Sequence, residues 1–260
     1  MRICAISDVH YKYHADTAED RENQRIVLDF LTRITGKYDL LVLAGDIFDL
    51  WYDGRYTLIK QYFPLLVKLY NIHSEGCRIV LISGNHDFWF GDFLPQIMSI
   101  ELYAEKFQIT IDDRKMLFCH GDTHTVNDNR YKFLRRVLRY PLTRKLFSLI
   151  HPDLALSLGS MLSRSSREQK LHPEIRSKKN SGLLSYATRQ IQKGRSDIVV
   201  MGHSHDPLLL QIGTGYYANC GDWLGHHSYV EIVDGEVSLH SFSQPLGEAP
   251  KRNLRQDETR

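Results

Sequence analysis

Five short motifs rich in Asp, His and Asn each follow directly after a short apolar run. In chain order they are Asp8-Val9-His10, Gly45-Asp46, Gly84-Asn85-His86-Asp87, His120-Gly121-Asp122 and Gly202-His203-Ser204-His205. Short apolar runs bounded by polar residues are typical of buried strands. Ligands of α/β sheets bind beyond the carboxyl ends of such strands. The pattern therefore predicts that the polar side chains of all five motifs meet at one rim of the fold.

The alternation of apolar runs with helical spacing predicts βαβ crossovers and an α/β fold. Over the first hundred residues we expect strands at 3–7, 40–44 and 78–83 and helices at 25–36 and 58–75. Beyond Phe107 the runs are short and separated by Gly or Asp turns, which predicts a second, more antiparallel sheet. Its expected strands are 107–111, 115–119, 198–201, 208–212, 216–219, 229–233 and 237–242.

We interpret residues 1–243 as one domain with an inserted helical lid at 122–193, followed by a disordered tail at 244–260. The chain of 260 residues has a formal net charge of only +2, but the insert holds 15 Lys and Arg against 5 Asp and Glu. This local excess predicts contact with something anionic. The basic stretch comprises Arg130, Lys132, Arg135, Arg136, Arg139, Arg144 and Lys145.

The basic residues of the insert interleave with aliphatic side chains. That pattern is typical of an amphipathic surface for anionic lipid headgroups. Nucleic acid would call for stacking aromatics instead, so we expect no nucleic acid partner. A self-packed helical hairpin with solvated charges is the alternative.

Scattered cysteines, the lack of a signal peptide's apolar region and the absence of any run of 18 apolar residues predict a cytoplasmic protein with reduced thiols. Its oligomeric state cannot be deduced from these features.

The five motifs offer carboxylate, amide and imidazole donors and no thiolate. This donor set suits manganese, iron or zinc. A carboxylate can bridge two such cations, which together polarise a phosphoryl oxygen and activate a water molecule. Glycines before the ligands would let the backbone turn sharply into the site.

The order of the motifs resembles that of the calcineurin-like metallophosphoesterases over residues 1–243. The resemblance implies a layered αββα sandwich and two divalent metal ions, with Mn²⁺ favoured and Fe²⁺ or Zn²⁺ as alternatives. It assigns one ion to Asp8, His10, Asp46 and His205, and the other to Asp46, Asn85, His120 and His203, so that Asp46 is the bridge.

The same resemblance implies that Asp46, Asn85 and His86 form the catalytic group. In it, His86 stabilises the phosphate or acts as general acid. Asp87 and Asp122 would orient imidazoles, or else cap turns.

Within the insert, the segments Asn127-Asp128-x-x-Tyr131-Lys132-Phe133 and Ser165-Ser166-Arg167-Glu168 resemble the branch that hydrolyses the pyrophosphate bond of UDP-2,3-diacylglucosamine in lipid A biosynthesis. The resemblance implies the products UMP and lipid X, and action at the cytoplasmic face of the inner membrane. The implied substrate contacts are Asn85, His86, Asp128, Tyr131, Arg164, Ser166, Arg167, Lys170 and His203.

One position departs from this branch, because His86 stands where its best-known members carry arginine. The alternative function is therefore another calcineurin-like phosphodiesterase or phosphatase that acts on a nucleotide or other phosphoester.

Overall fold

The computed structural model of the protein describes residues 1–54, 57–125, 135–140, 142–143, 146 and 173–242, with residues 173–179 described in their backbone only. The strands are β1 (Arg2–Ile6), β2 (Leu40–Leu43), β3 (Arg78–Ile82), β4 (Glu101–Tyr103), β5 (Lys106–Ile111), β6 (Arg114–Cys119), β7 (Ile198–Met201), β8 (Leu208–Ile212), β9 (Gly215–Asn219), β10 (Ser228–Val233) and β11 (Glu236–Ser241). The helices are α1 (Ala18–Ile34), α2 (Phe63–Ser74), α3 (Phe93–Ile97) and α4 (Pro173–Gln192), with 3₁₀ turns at Lys60–Tyr62 and Asp122–His124.

The strands form two sheets. Sheet A has the order β11-β10-β1-β2-β3-β4, and sheet B has the order β5-β6-β7-β9-β8. Strands β1 to β4 are mutually parallel, as are β6, β7 and β9. The carboxyl ends of these parallel strands are the ends after which the five motifs follow.

The prediction that all later strands join the second sheet is wrong for the last two. Strand β10 pairs antiparallel with β1, with Ala5 opposite Val230, and β11 pairs with β10. Which edge a strand joins depends on partners far away in the chain, and an alternating apolar pattern does not specify them.

Alternate residues of each strand face different layers. In β1, Ile3 and Ala5 point to the core between the sheets, whereas Cys4 and Ile6 pack under α1 and α2. In sheet B, the residues that alternate with those of the core between the sheets pack against α4 instead. Leu183 of α4 is fully buried there. This arrangement confirms the predicted αββα sandwich.

Two further predictions concern helices. Helix α1 begins at Ala18, earlier than the expected 25, because Thr17 and Asp20 form a capping box. Helix α4 falls in the predicted insert 122–193, whose boundaries as a lid stay a prediction, and residues 244–260 lie outside the described part of the chain. None of the described helices is both long and apolar enough to cross a membrane.

Candidate metal centre

The loops after β1, β2, β3, β6 and β7 converge on one rim between the two sheets. The predicted ligands lie there, and most are almost inaccessible to solvent: Asp8 and Asp46 are 0% exposed, His120 1%, His10 2% and His203 3%. Ionised carboxylates are rarely buried to this degree without a cation or a charged partner.

Three ligands form what we call the Asp8 half of the centre: Asp8, His10 and His205. The Nε2 atom of His205 lies 3.2 Å from Asp8 Oδ1 and 3.4 Å from the Nε2 atom of His10. The His10 Nε2 atom is 3.9 Å from Asp8 Oδ1. Both imidazoles therefore point the same ring nitrogen at one carboxylate oxygen.

Three others form the Asn85 half: Asn85, His120 and His203. The Oδ1 atom of Asn85 lies 3.1 Å from His120 Nε2 and 3.0 Å from His203 Nδ1. The two imidazole nitrogens are 3.3 Å apart. His203 faces this half through Nδ1, whereas His10 and His205 face the Asp8 half through Nε2. The two halves therefore differ in which imidazole nitrogen they present.

Asp46 stands between the halves. Its Oδ2 atom lies 3.7 Å from His10 Nε2 and 3.4 Å from His120 Nε2. Its Oδ1 atom accepts a 2.8 Å hydrogen bond from the backbone N–H of His86. Burial alone would raise the pKa of Asp46, but the nearby His120 and His86 lower it well below its usual range. The carboxylate is therefore ionised and faces both halves.

The donors fit cations. The Nδ1 atom of His120 lies 3.0 Å from the Ala44 carbonyl oxygen, to which it can only donate. The lone pair of a neutral His120 then sits on Nε2, opposite the acceptor Asn85 Oδ1, and two facing acceptors require a cation or an extra proton between them. Burial alone would lower the pKa of His120, but the nearby Asp46 carboxylate has the larger effect and raises that pKa to about 10. The Asn85 half therefore favours positive charge.

Buried oxygens and spacing support the same reading. Asp8 Oδ1 and Asp46 Oδ2 accept no hydrogen bond from any residue that the structure describes. Donor atoms that share a metal ion at about 2.0–2.2 Å lie roughly 3–3.5 Å apart, close to the separations seen in both halves. The residues present thus fit a pair of divalent cations bridged by Asp46.

The backbone is strained where the ligands sit. Asp8, His10, Asp46, His203 and His205 all have positive φ, between 47° and 69°, a region that non-glycine residues rarely occupy. Such strain is typical of functional sites, where the surrounding structure must hold the conformation.

The glycines next to the ligands act in two ways. Gly45, before Asp46, has a φ of 87°, which supports the predicted sharp turn, and Gly121, directly after His120, has a φ of 107°. Gly84 and Gly202 have ordinary dihedrals and are needed for close approach instead, because a Cβ at these positions would overlap the Asp46 and Asp8 carboxylates, respectively.

His86 lies at the rim next to His10, with the two rings edge to face at 4.7 Å. Its Nδ1 atom is 3.2 Å from the carbonyl oxygen of Asp49, to which it can donate. That contact orients the ring, and Nε2 is the nitrogen with which His86 could act on a phosphate.

Of the two roles predicted for Asp87, the hydrogen bonds favour the cap, because among the described residues its carboxylate is bonded to backbone N–H groups and to no imidazole. Its carboxylate accepts hydrogen bonds from the backbone N–H groups of Asp46, Ile47, Phe48 and Gly84, at 2.7–3.1 Å. Asp87 thereby ties the loop that carries Asp46 to the loop that carries Asn85.

Two arginines of the predicted insert contact the rim. Arg135 donates to Asp122 at 2.7 Å. Arg139 donates to the carbonyl oxygen of Gly84 at 2.7 Å and stacks over Phe88. Both were predicted to belong to a basic outer surface, and neither contact could be expected from the spacing of charges.

The predicted substrate contacts of the insert fall outside the described residues. They are Asp128, Tyr131, Arg164, Ser166, Arg167 and Lys170. Among the described residues, sequence reasoning passed over Asp222. It follows β9 as the recognised ligands follow their strands, and its carboxylate contacts His205.

An αββα sandwich with Asp, His and Asn donors at the ends of its parallel strands defines a phosphoesterase that depends on divalent metal ions. The chain belongs to the calcineurin-like phosphoesterases, a family whose pattern matches residues 1–207. The prediction of a metal-dependent phosphoester hydrolase is confirmed.

Several bacterial relatives named UDP-2,3-diacylglucosamine hydrolase are similar over most of their length. The protein from Psychromonas ingrahamii is 25% identical, over 92% of this chain and 96% of the relative. The one from Porphyromonas gingivalis is 27% identical, over 90% and 94%. The one from Blochmanniella pennsylvanica is 29% identical, over 96% and 100%.

Proposed function

We propose that this protein hydrolyses the pyrophosphate bond of UDP-2,3-diacylglucosamine, releasing UMP and 2,3-diacylglucosamine 1-phosphate (lipid X) in lipid A biosynthesis. The observation that carries the proposal is the similarity, over almost the whole length, to bacterial relatives named UDP-2,3-diacylglucosamine hydrolase. The chain also keeps all seven predicted donors together at one rim.

In this proposal the Asp8 half and Asp46 hold one cation, and the Asn85 half and Asp46 hold the other. Oxygen and imidazole donors without thiolate are compatible with Mn²⁺, which we favour over Fe²⁺ and Zn²⁺. When bound, the two cations would polarise the phosphoryl group and activate the attacking water.

The protein's own residues would orient the phosphate and hold its charge. With Nδ1 held by the Asp49 carbonyl, the imidazolium form of His86 would present its Nε2–H as a hydrogen-bond or proton donor to the phosphate. The side chains of Asn85 and His203, which approach each other to 3.0 Å, would contact the same phosphoryl oxygens. Asp46, placed by the His86 N–H, couples this group to both halves.

The insert would handle the lipid. Its described part exposes four large apolar side chains, Val137, Tyr140, Leu142 and Leu146, by 43–60%. The charged Arg136 is exposed in the same short stretch. Apolar and basic groups side by side favour an anionic lipid surface, here the cytoplasmic face of the inner membrane. Asp128, Tyr131, Arg164, Ser166, Arg167 and Lys170 would contact the substrate itself.

The test is to incubate the purified protein with UDP-2,3-diacylglucosamine, detergent and Mn²⁺ and to follow UMP and lipid X by mass spectrometry. We expect both products in equal amounts, and neither from Asp46→Ala. A bis-aryl phosphate serves as a generic substrate in parallel. Turnover of the aryl phosphate without UMP release would discard the lipid substrate in favour of another phosphoester, the alternative that His86 suggests.

A further inference from the structure

The loop after β9 is organised around the carboxylate of Asp222. Its Oδ1 atom accepts hydrogen bonds from three successive backbone N–H groups, those of Leu224, Gly225 and His226, at 3.0–3.2 Å. The side chain of His226 lies 3.2 Å from the same oxygen through Nδ1. This oxygen is therefore committed to donors of its own loop.

The other oxygen faces the metal centre. Asp222 Oδ2 lies 3.3 Å from Nδ1 of His205, while Nε2 of the same ring lies 3.2 Å from Asp8 Oδ1. Asp222 is only 6% exposed, and its Oδ1 atom already accepts from three backbone N–H groups. Oδ2 of the same carboxylate is the acceptor nearest to His205, so Nδ1 of His205 carries a proton toward it, and in the neutral ring the lone pair is then on Nε2.

We propose that Asp222 is a positioning residue that fixes His205 in its Nδ1–H tautomer, so that the Nε2 lone pair is aimed at the Asp8 half. Partners of this kind set the orientation and basicity of a metal-binding imidazole. The inference rests on the proposed role of His205 as a ligand, and is independent of which phosphoester the protein cleaves.

Asparagine at this position would reverse the tautomer while keeping the loop. The three backbone N–H groups require an oxygen where Oδ1 stands, so the amide nitrogen of Asp222→Asn must face His205. A donor there forces Nδ1 of His205 to accept, which places the ring proton on Nε2 and blocks the metal-binding lone pair.

The experiment compares the wild type, Asp222→Asn and the control His226→Gln. The control keeps the carboxylate and changes only its more exposed imidazole partner. Metal dissociation constants are measured by chelator competition with Mn²⁺. The tautomer of His205 is determined from its ring ¹⁵N shifts in the metal-free protein, at a pH high enough for the ring to be neutral, and the signals are assigned with His205→Gln.

For Asp222→Asn we expect one of two metal equivalents to bind about 10–100-fold more weakly and His205 to become the Nε2–H tautomer, with both properties unchanged in His226→Gln. If Asp222 serves only its loop, Asp222→Asn will bind both equivalents within twofold of wild type and keep the Nδ1–H tautomer. That result overturns the proposal. Neither readout requires UDP-2,3-diacylglucosamine, so failure here is distinguishable from failure of the proposed function.

Discussion

The two halves of the metal centre are built from similar donors but are supported differently. The Asp8 half contains a carboxylate of its own, and a second carboxylate, Asp222, stands behind His205. The Asn85 half contains a neutral amide, and its His120 is held by the backbone carbonyl of Ala44. Only Asp46 gives both halves a shared negative charge.

The halves also depend on different parts of the chain. The loop after β9 supports the Asp8 half, because the backbone N–H of Trp223 donates to the Asp8 carbonyl oxygen at 3.2 Å. Two arginines of the predicted insert support the Asn85 half, Arg139 through the Gly84 carbonyl and Arg135 through Asp122. The difference teaches that one half has a carboxylate of its own and is held by a loop of the sandwich, whereas the other has none and contacts the predicted insert. Substitutions should therefore separate them.

The largest effect is expected at Asp46, the carboxylate that faces both halves. In Asp46→Asn the amide oxygen would keep the hydrogen bond from the His86 N–H, which turns the NH₂ group toward His10 and His120. A donor in place of the bridging oxygen repels both cations, so turnover of a bis-aryl phosphate should fall at least about 10³-fold, beyond the 10–100-fold typical of outer-sphere partners. Elemental analysis should show loss of both metal equivalents.

The matched control is Asp234→Asn, a carboxylate that is 83% exposed and pairs with the N-terminal amine. It should retain both metals and full turnover. An Asp46→Asn protein that kept both equivalents would show that the two halves bind independently of the bridge.

A smaller effect should reveal which half binds its cation more tightly. Ligand charge tunes the affinity of oxygen-rich sites, so the Asn85 half should release its metal first as chelator is added. Asn85→Asp adds the missing charge and should tighten this weaker equivalent by roughly tenfold. Asp8→Asn should weaken the tighter equivalent by a comparable factor. Both are measured by chelator competition with turnover as a second readout.

The opposite pattern would reverse the assignment. If Asn85→Asp tightens the equivalent that leaves last and Asp8→Asn weakens the one that leaves first, the Asp8 half is the weaker site despite its charge. The burial of Asp8 would then cost more than its attraction contributes.

The rim itself could be predicted from the sequence, because each ligand lies within a few residues of its own apolar strand. Asp8, Asp46 and His120 needed only local patterns to be found. The layer arrangement followed from the alternation of strands and helices. Asp222 carried the same signal, a carboxylate just past β9, but its meaning depends on His205 in a neighbouring loop.

What could not be predicted depends on contacts distant in the chain. The pairing of β10 with β1 joins the two ends of the described chain. The Asp87 carboxylate binds backbone N–H groups around Asp46, and the sequence could not distinguish this role from that of an imidazole partner. Arg135 and Arg139 look like surface charges in the sequence. They contact the rim because of the direction in which their side chains point, which the spacing of charges does not specify.

The smallest effect is expected from the link between the insert and the Asn85 half. The guanidinium of Arg139 donates to the carbonyl oxygens of Gly84 and Ala104 at 2.7 and 3.0 Å. Charged hydrogen bonds of this kind contribute about 1.5–3 kcal/mol. Only part of this should reach Asn85, so Arg139→Ala should weaken the Asn85-half metal by about three- to tenfold.

The neighbouring Arg136 is exposed and gives the matched control, since Arg136→Ala changes the same charge without touching the rim. A soluble bis-aryl phosphate keeps lipid contact out of the comparison. In chelator competition, one equivalent of Arg139→Ala should have a raised metal dissociation constant, and both equivalents of Arg136→Ala should keep the wild-type values. Equal weakening of both equivalents would mean that the insert stabilises the whole rim, and the division of the centre into two separately supported halves would then be wrong.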